Sequence, residues 1–318
     1  MRSGRRGVVA AVAALIIAAC GSADGDGAES APSLSAERPA IVVTTNILGD
    51  IVREIAGDVA DVEVLLDVGA DPHSFAMSAA EAERMQDADL VVANGLNLEE
   101  AMLDNVESAA ENGVPVLEVA PLVEPLPYGS GTDEDARSLD PHVWTDPARM
   151  VTAVGLIEEA VAELPGVDVD RLETNAAAYR ERLQAMDSSM QQRLDTIPPA
   201  QRQLVTNHHV FGYFADRFDF EVVGTVLPGG TTLASPSASD LVELVDVLRR
   251  TGVPAIFADS SQPARLAEVL ATEADVDIEV ISLHTESLGP PGSGAETYLD
   301  MLDTNTDRIV DALSAAGT

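Results

Sequence analysis

The stretch IVVTTNILGDIVREIAG, residues 41–57, reads as one strand followed by one helix. Ile41 to Thr45 is an uncharged β-branched run, the composition of a strand buried on both faces. Ile47, Ile51 and Ile55 then recur at helical spacing, and the pattern stops at Gly57, where a helix can end in a left-handed residue. A second strand-like run, Val62–Leu66, follows at once. Strand, helix and strand in this order, with buried strands, predict a parallel sheet of the α/β class.

Outward from this unit the pattern continues. Ser78 with Glu81 forms a capping box that opens a helix, and Leu90–Ala93 and Val114–Val119 are two more buried strands. Two long helical stretches follow, residues 147–164 and 169–194, separated by Pro165 and Gly166. The alternation then restarts with Gln203–Thr206, a helix to Phe218, Glu221–Thr225 and a helix over Ser237–Arg250. Ala255–Ala258, a helix from Pro263, Ile278–Leu283 and a last helix from Ala295 complete it. The expected architecture is two (β/α) lobes with parallel-type sheets around a helical connector. The expected boundaries are 39–166 for the first lobe, 167–198 for the connector and 199–318 for the second lobe.

The N-terminus has a different character. Arg2, Arg5 and Arg6 precede an uncharged run from Gly7 to Ala19, too short to span a bilayer and suited to a signal peptide over residues 1–19. The run ends Ile17-Ala18-Ala19-Cys20, which resembles a bacterial lipobox and marks Cys20 for lipidation. Cys20 is the only cysteine, so no intrachain disulfide can form. Residues 20–38 are small, polar and acidic, a composition that cannot bury a core, and they read as a flexible tether.

The 318 residues carry 54 Asp and Glu against 18 basic residues, all of them Arg, for a formal net charge of −36. Such a polyanion is repelled by phosphate backbones, which argues against a nucleic-acid partner and makes cations the natural ligands. The sequence has no phosphate-cradling loop: residues 228–232 and 289–294 are rich in Gly but lack the lysine and the helix context.

In open parallel sheets ligands bind beyond the carboxyl ends of the strands, and nearly all of the five histidines fall there. His73 and His142 each end an Asp-Pro-His tripeptide, in which proline stiffens the loop and the Asp71 or Asp140 carboxylate could accept a hydrogen bond from the imidazole. His208 and His209 follow the strand Gln203–Thr206; adjacent side chains cannot easily share one centre, so one points inward and the other is peripheral. His284 and Glu286 follow the strand Ile278–Leu283. Three neutral imidazoles from His73, His142 and His208 with the Glu286 carboxylate would make a compact N3O site between the lobes, a donor set suited to tetrahedral Zn²⁺. The competing account leaves the histidines scattered over the surface and core of some other binding protein. A zinc hydrolase is disfavoured, because four protein ligands leave no position for a catalytic water and no H-E-x-x-H pattern occurs.

The ordered set ADPHSF, ADLVVANGLNLE, DPHVWTDP, HHVFGYFADRF, FADSS and TESLGPPGSGAETYLDML, spread over residues 39–318, resembles the metal-binding solute receptors of ABC importers, the zinc/manganese TroA-like (cluster A-I) family. The resemblance implies two (β/α) lobes joined by one long rigid helix, with the metal at their interface. It places the family's ligands on His73, His142 and His208, the last at a position where manganese receptors commonly carry Glu, so that histidine there points to zinc. The fourth ligand, usually Asp, falls on Glu286, and His209 falls on a non-ligand position. Asp259 is expected as a buried cleft carboxylate, and His284, where relatives often have Tyr, as a neighbour of the ligands or a spare one. The loop Tyr128–Asp135 is acidic but lacks the histidines that many zinc-specific relatives carry there, and reads as a solvated surface loop. By resemblance the chain is a monomeric lipoprotein on the outer face of the cell membrane. It would capture Zn²⁺ as cargo for a permease and its ATPase, without being an enzyme. Mn²⁺ or Fe²⁺ as cargo, and a role as a surface adhesin, are the alternatives.

Overall fold

The computed structural model describes residues 38–128, 138–227 and 229–315. The segment expected as a signal peptide, the expected tether up to residue 37, Cys20 and most of the acidic loop lie outside the described residues.

The first lobe begins with β1 (Ala40–Val43), α1 (Asn46–Ala56) and β2 (Asp61–Val64), followed by α2 (Ala79–Gln86), β3 (Leu90–Ala93), α3 (Leu103–Glu111) and β4 (Val116–Glu118). Its four strands are all parallel, in the order β2-β1-β3-β4. α1 starts where Thr45 accepts a hydrogen bond from the Leu48 amide, and it ends at Gly57, whose φ is 57°. α2 carries the complete capping box of Ser78 and Glu81.

Two helices leave this lobe, α4 (Pro147–Ala162) and α5 (Val169–Leu194). Asp146 caps α4 through the amides of Ala148 and Arg149, and Pro147 sits in its first turn, where a missing N–H costs nothing. α5 has 26 residues and is about 39 Å long at 1.5 Å per residue. It packs on α1 and α4 of the first lobe and on α9 (Tyr298–Ala315), so a single helix runs beside both halves of the body.

The second lobe is built from β5 (Gln203–Thr206), α6 (Gly212–Phe218), β6 (Glu221–Thr225), α7 (Ala238–Thr251), β7 (Ala255–Asp259), α8 (Arg265–Glu273), β8 (Glu279–Leu283) and α9. Its sheet, β6-β5-β7-β8, is again all parallel and repeats the strand order of the first. The α/β class, the two lobes and their parallel sheets are as the sequence predicts. α3 was not among the expected helices; its residues, Leu103–Glu111, bury only Val106 and Ala109 and so carry a weak periodic signal.

One core joins the two lobes. It runs from Ile41, Val43 and Ile51 of the first lobe through Tyr179 and Leu183 of α5 to Leu204, Phe257 and Leu283 of the second. The outer face of each sheet has a smaller core of its own, around Val91 and Met102 in the first lobe and Ile256 and Leu248 in the second. Because one packed core spans both lobes, wide separation would expose much apolar surface, and the interface is built for small relative movements. Among the described residues no helix is long and apolar enough to cross a membrane.

Candidate metal centre

Every strand in the two sheets points its carboxyl end toward the space between the lobes, and four side chains meet there. His73 comes from the loop after β2, His142 from the turn that enters α4, His208 from the loop after β5 and Glu286 from the loop after β8. One donor atom from each lies within 4.8 Å of all the others. All four are buried, none more than 1% exposed.

The donor atoms crowd closely. His142 Nε2 and His208 Nε2 are 3.3 Å apart, and Glu286 Oε1 stands 2.9 Å from His208 Nε2 and 3.5 Å from His142 Nε2. Glu286 Oε2 faces His73 Nε2 at 3.9 Å. Despite this proximity, both nitrogens of His73, Nδ1 of His208 and both oxygens of Glu286 make no hydrogen bond. A buried polar atom left without a partner costs about 1–3 kcal/mol, so a cluster of them is a strongly unfavourable packing unless a further group completes it. A divalent cation fits: it takes the inward lone pairs of three imidazoles and a carboxylate at once.

Burial sets the protonation of the site. It pushes the Glu286 carboxyl well above the usual carboxylate range, an effect that His73 opposes and Asp259, Asp71 and Asp140 reinforce. Burial likewise holds His142 well below the ordinary imidazole value, helped by the neighbouring histidines, and lowers His208. Without a cation the favoured state therefore has neutral His142 and His208 beside a protonated Glu286 carboxyl. Neutral imidazole is also the form that binds a metal.

The surrounding residues divide by what they hold. Asp140 accepts from Nδ1 of His142 at 2.7 Å and from its backbone amide, so the imidazole is locked with Nε2 facing inward. Burial pushes Asp140 up to about 7. Asp71 does otherwise. The sequence suggests that it accepts from the His73 ring, but it takes the His73 backbone amide, Ser74 and, across the cleft, Thr232 at 2.6 Å and Gln262 at 2.8 Å. This carboxylate ties the lobes together beside the site.

Asp259 is buried at the end of β7, where Ser261 and Thr285 donate to it; it thereby fixes the turn that carries Glu286 and is not among the four converging residues. His284 points away: its Nδ1 meets Ser260 Oγ at 3.1 Å and its backbone pairs with Asn305. His209 lies behind His142, against Tyr128 and the Asp140 carboxylate.

Two residues that sequence reading passed over shape the site. Glu99, fully buried, accepts from Thr44 Oγ1 at 2.6 Å and from the amides of Asn94 and Gly95. It stabilises a turn in which Gly95, Leu96 and Asn97 all have positive φ, a strained run for the two that carry a Cβ. Gly212 is the second. A Cβ there would stand 2.5 Å from Asp140 Oδ2, so only glycine lets that carboxylate reach His142. Gly212→Ala is expected to displace Asp140 and lower metal affinity about 10-fold, the low end of what loss of an imidazole's outer partner costs; competitive titration with a chelator measures it.

Against this geometry, sequence comparison is decisive. The family described as the periplasmic zinc-uptake complex component A matches residues 41–312. The chain belongs to that family. The manganese-binding lipoprotein MntA of Halalkalibacterium halodurans is 31% identical over 303 residues, covering 95% of this chain and 96% of that one. The zinc-binding protein TroA of Treponema pallidum is 31% identical over 281 residues, with 87% and 89% covered, and the iron-binding protein YfeA of Yersinia pestis 29% over 282, with 89% and 88%. The solved structure of the Treponema pallidum protein superposes with a TM-score of 0.78 at 30% identity, over 87% of this chain and 99% of that one. The Mn-bound periplasmic metal-binding protein of Candidatus Liberibacter asiaticus gives 0.76 at 28%, over 87% and 100%. The chain is thus a member of the substrate-binding components of metal ABC transporters, a family of binding proteins.

Proposed function

We propose that this protein captures Zn²⁺ outside the cytoplasm and hands it to a membrane permease driven by an ATPase, with His73, His142, His208 and Glu286 as the four ligands. The observation that carries the reading is the donor set and its spacing. Four donors held tetrahedrally about Zn²⁺ at 2.0–2.2 Å stand roughly 3.3 Å apart. The three separations among His142, His208 and Glu286 Oε1 are 3.3, 2.9 and 3.5 Å. Three imidazoles in four positions also favour zinc over Mn²⁺, which prefers more oxygen.

Mn²⁺ or Fe²⁺ is the second reading, and one observation favours it. Glu286 turns its second oxygen toward His73, so the carboxylate can supply a fifth donor. Relatives of comparable identity are named for manganese and for iron.

Four protein donors leave no open position for a catalytic water, which supports a carrier rather than a hydrolase. The residues before 39 fit a cleaved signal peptide over 1–19 and a tether over 20–38 anchored by lipid at Cys20, and several relatives are named lipoproteins. The receptor would be a monomer on the outer face of the cell membrane, and engagement with the permease would release the cation by separating the second lobe's ligands, His208 and Glu286, from the first lobe's two. The test is the metal content of the purified protein and its competitive titration. One Zn²⁺ per chain, held at least 10-fold more tightly than Mn²⁺ or Fe²⁺, is the expected result. Preference for Mn²⁺ or Fe²⁺ would establish the second reading, and no stoichiometric metal would end both.

A further inference from the structure

The two Asp-Pro-His tripeptides are used differently, and the difference exposes a role for a residue outside them. In the second, Asp140 holds the outer nitrogen of His142. In the first, Asp71 is committed to a backbone amide and to the opposite lobe, so Nδ1 of His73 has no hydrogen-bond partner although the residue is 1% exposed. The carboxylate that faces it is Glu100, with Oε1 at 3.4 Å.

Glu100 is presented by a turn whose shape is enforced. Its neighbour Glu99 anchors the turn through three hydrogen bonds, and the left-handed Leu96 and Asn97 reverse the chain so that Glu100 follows on the side of the cleft. The Glu100 side chain is 36% exposed and lines a cleft of about 980 Å³ bounded by Leu96 and Asn97 from one lobe and Thr231 from the other. With its outer part in solvent, a small rotation brings the carboxylate within hydrogen-bond reach of the ring.

We propose that Glu100 is the positioning residue for His73: it accepts the Nδ1 proton of the imidazole and so fixes Nε2 as the donor to the cation. It does for His73 what Asp140 does for His142, but from an exposed side chain at the mouth of the site. The inference rests on the reading of the four converging residues as a metal site.

The test uses the full chain and Zn²⁺ alone, with Glu100→Ala, Glu100→Gln and, as a control that removes an exposed carboxylate of the same lobe, Glu107→Ala. Zinc affinity is measured by chelator competition, and the His73 ring is followed by ¹⁵N–¹H resonances of the zinc-loaded protein. Glu100→Ala is expected to weaken binding 10- to 100-fold and to lose the slowly exchanging Nδ1 proton of His73. Glu100→Gln, whose amide oxygen still accepts, should recover part of the affinity and the proton, and Glu107→Ala should match the wild type. The melting temperature of the metal-free protein should be the same in all four. Wild-type affinity and an unchanged His73 resonance in Glu100→Ala, or an equal loss in Glu107→Ala, would overturn the proposal while leaving the metal site intact. Failure of the wild type to bind zinc would overturn both.

Discussion

Zinc affinity is expected to fall by about 3 kcal/mol, on the order of 100-fold, when His208 is replaced by Ala, and by at least as much when Glu286 is replaced by Gln. The first figure follows from dividing the roughly 10–16 kcal/mol of a four-ligand zinc site among its ligands. The second variant keeps the shape and one oxygen donor but removes the negative charge. Three imidazoles are neutral, so Glu286 is the one ligand that offsets the cation's charge in a site with no more than 1% exposure. A buried divalent ion with neutral ligands alone is left with its full charge in a poorly polarisable surrounding, and that is costly. The two variants should part company in stability. Glu286→Gln replaces a carboxyl that burial already keeps protonated, so the metal-free fold keeps its melting temperature or gains slightly. His208→Ala opens a cavity among buried rings, and the metal-free fold loses about 1–3 kcal/mol. Chelator competition and calorimetric melting of the metal-free proteins read the two effects separately. Equal affinity of wild type and Glu286→Gln would remove Glu286 from the ligand set.

How much of this site could be read in the sequence depends on how far each residue's role is local. β1 and α1 were legible because an uncharged β-branched run and three isoleucines spaced four residues apart, Ile47, Ile51 and Ile55, report burial directly, and the repeat of the βα pattern gave both lobes. His73, His142, His208 and Glu286 were legible as candidates because each follows a strand or enters a helix at the carboxyl edge of a parallel sheet, where topology brings distant loops together. Roles that depend on the second lobe's approach to the first were not. Asp71 and Asp140 sit in identical tripeptides, and only the position of Thr232 and Gln262 across the cleft sends one carboxylate away from its ring. Glu99 and Glu100 are adjacent acids in an ordinary-looking turn; that one is buried under three donors and the other faces an imidazole follows from the positive φ of Gly95, Leu96 and Asn97, which no hydrophobic pattern encodes for the last two.

Zinc binding in mildly acidic solution will release the Glu286 proton, and the apparent affinity will rise with pH. The sign follows from the direction of each shift. Glu286 is raised well above 4.5 by burial, so the metal-free site holds its proton in mildly acidic solution, and the cation must expel it. His142 and His208 are lowered from 6.5 by burial and are already neutral in the folded protein, so they contribute few protons. Affinity then gains up to 10-fold per pH unit between 4.5 and the raised value of Glu286, and levels off above it. Isothermal titration in buffers of different ionisation enthalpy counts the protons; none released in mildly acidic solution would mean that Glu286 is ionised before the metal arrives. The same shifts set the stability of the fold. The raised groups, Glu286 and Asp140, contribute stability that is present below their unfolded values and is lost as pH rises through their folded ones, which for Asp140 is about 7. The lowered histidines work in the opposite sense, since the unfolded chain takes up protons below 6.5 that the fold refuses. Over pH 4.5–6.5 the two contributions oppose each other, and the melting temperature of the metal-free protein should change little on account of this site. In the zinc-bound protein the Glu286 carboxylate is ionised and its share of the opposition is gone, while that of Asp140 remains. The melting temperature of the zinc-bound protein should climb with pH across that interval, and at neutral pH zinc in 1,000-fold excess over its dissociation constant should add about 4 kcal/mol to the stability of the fold. A pH-sensitive melting curve with zinc and a flat one without it is the signature of a site whose charges balance only when the cation is present.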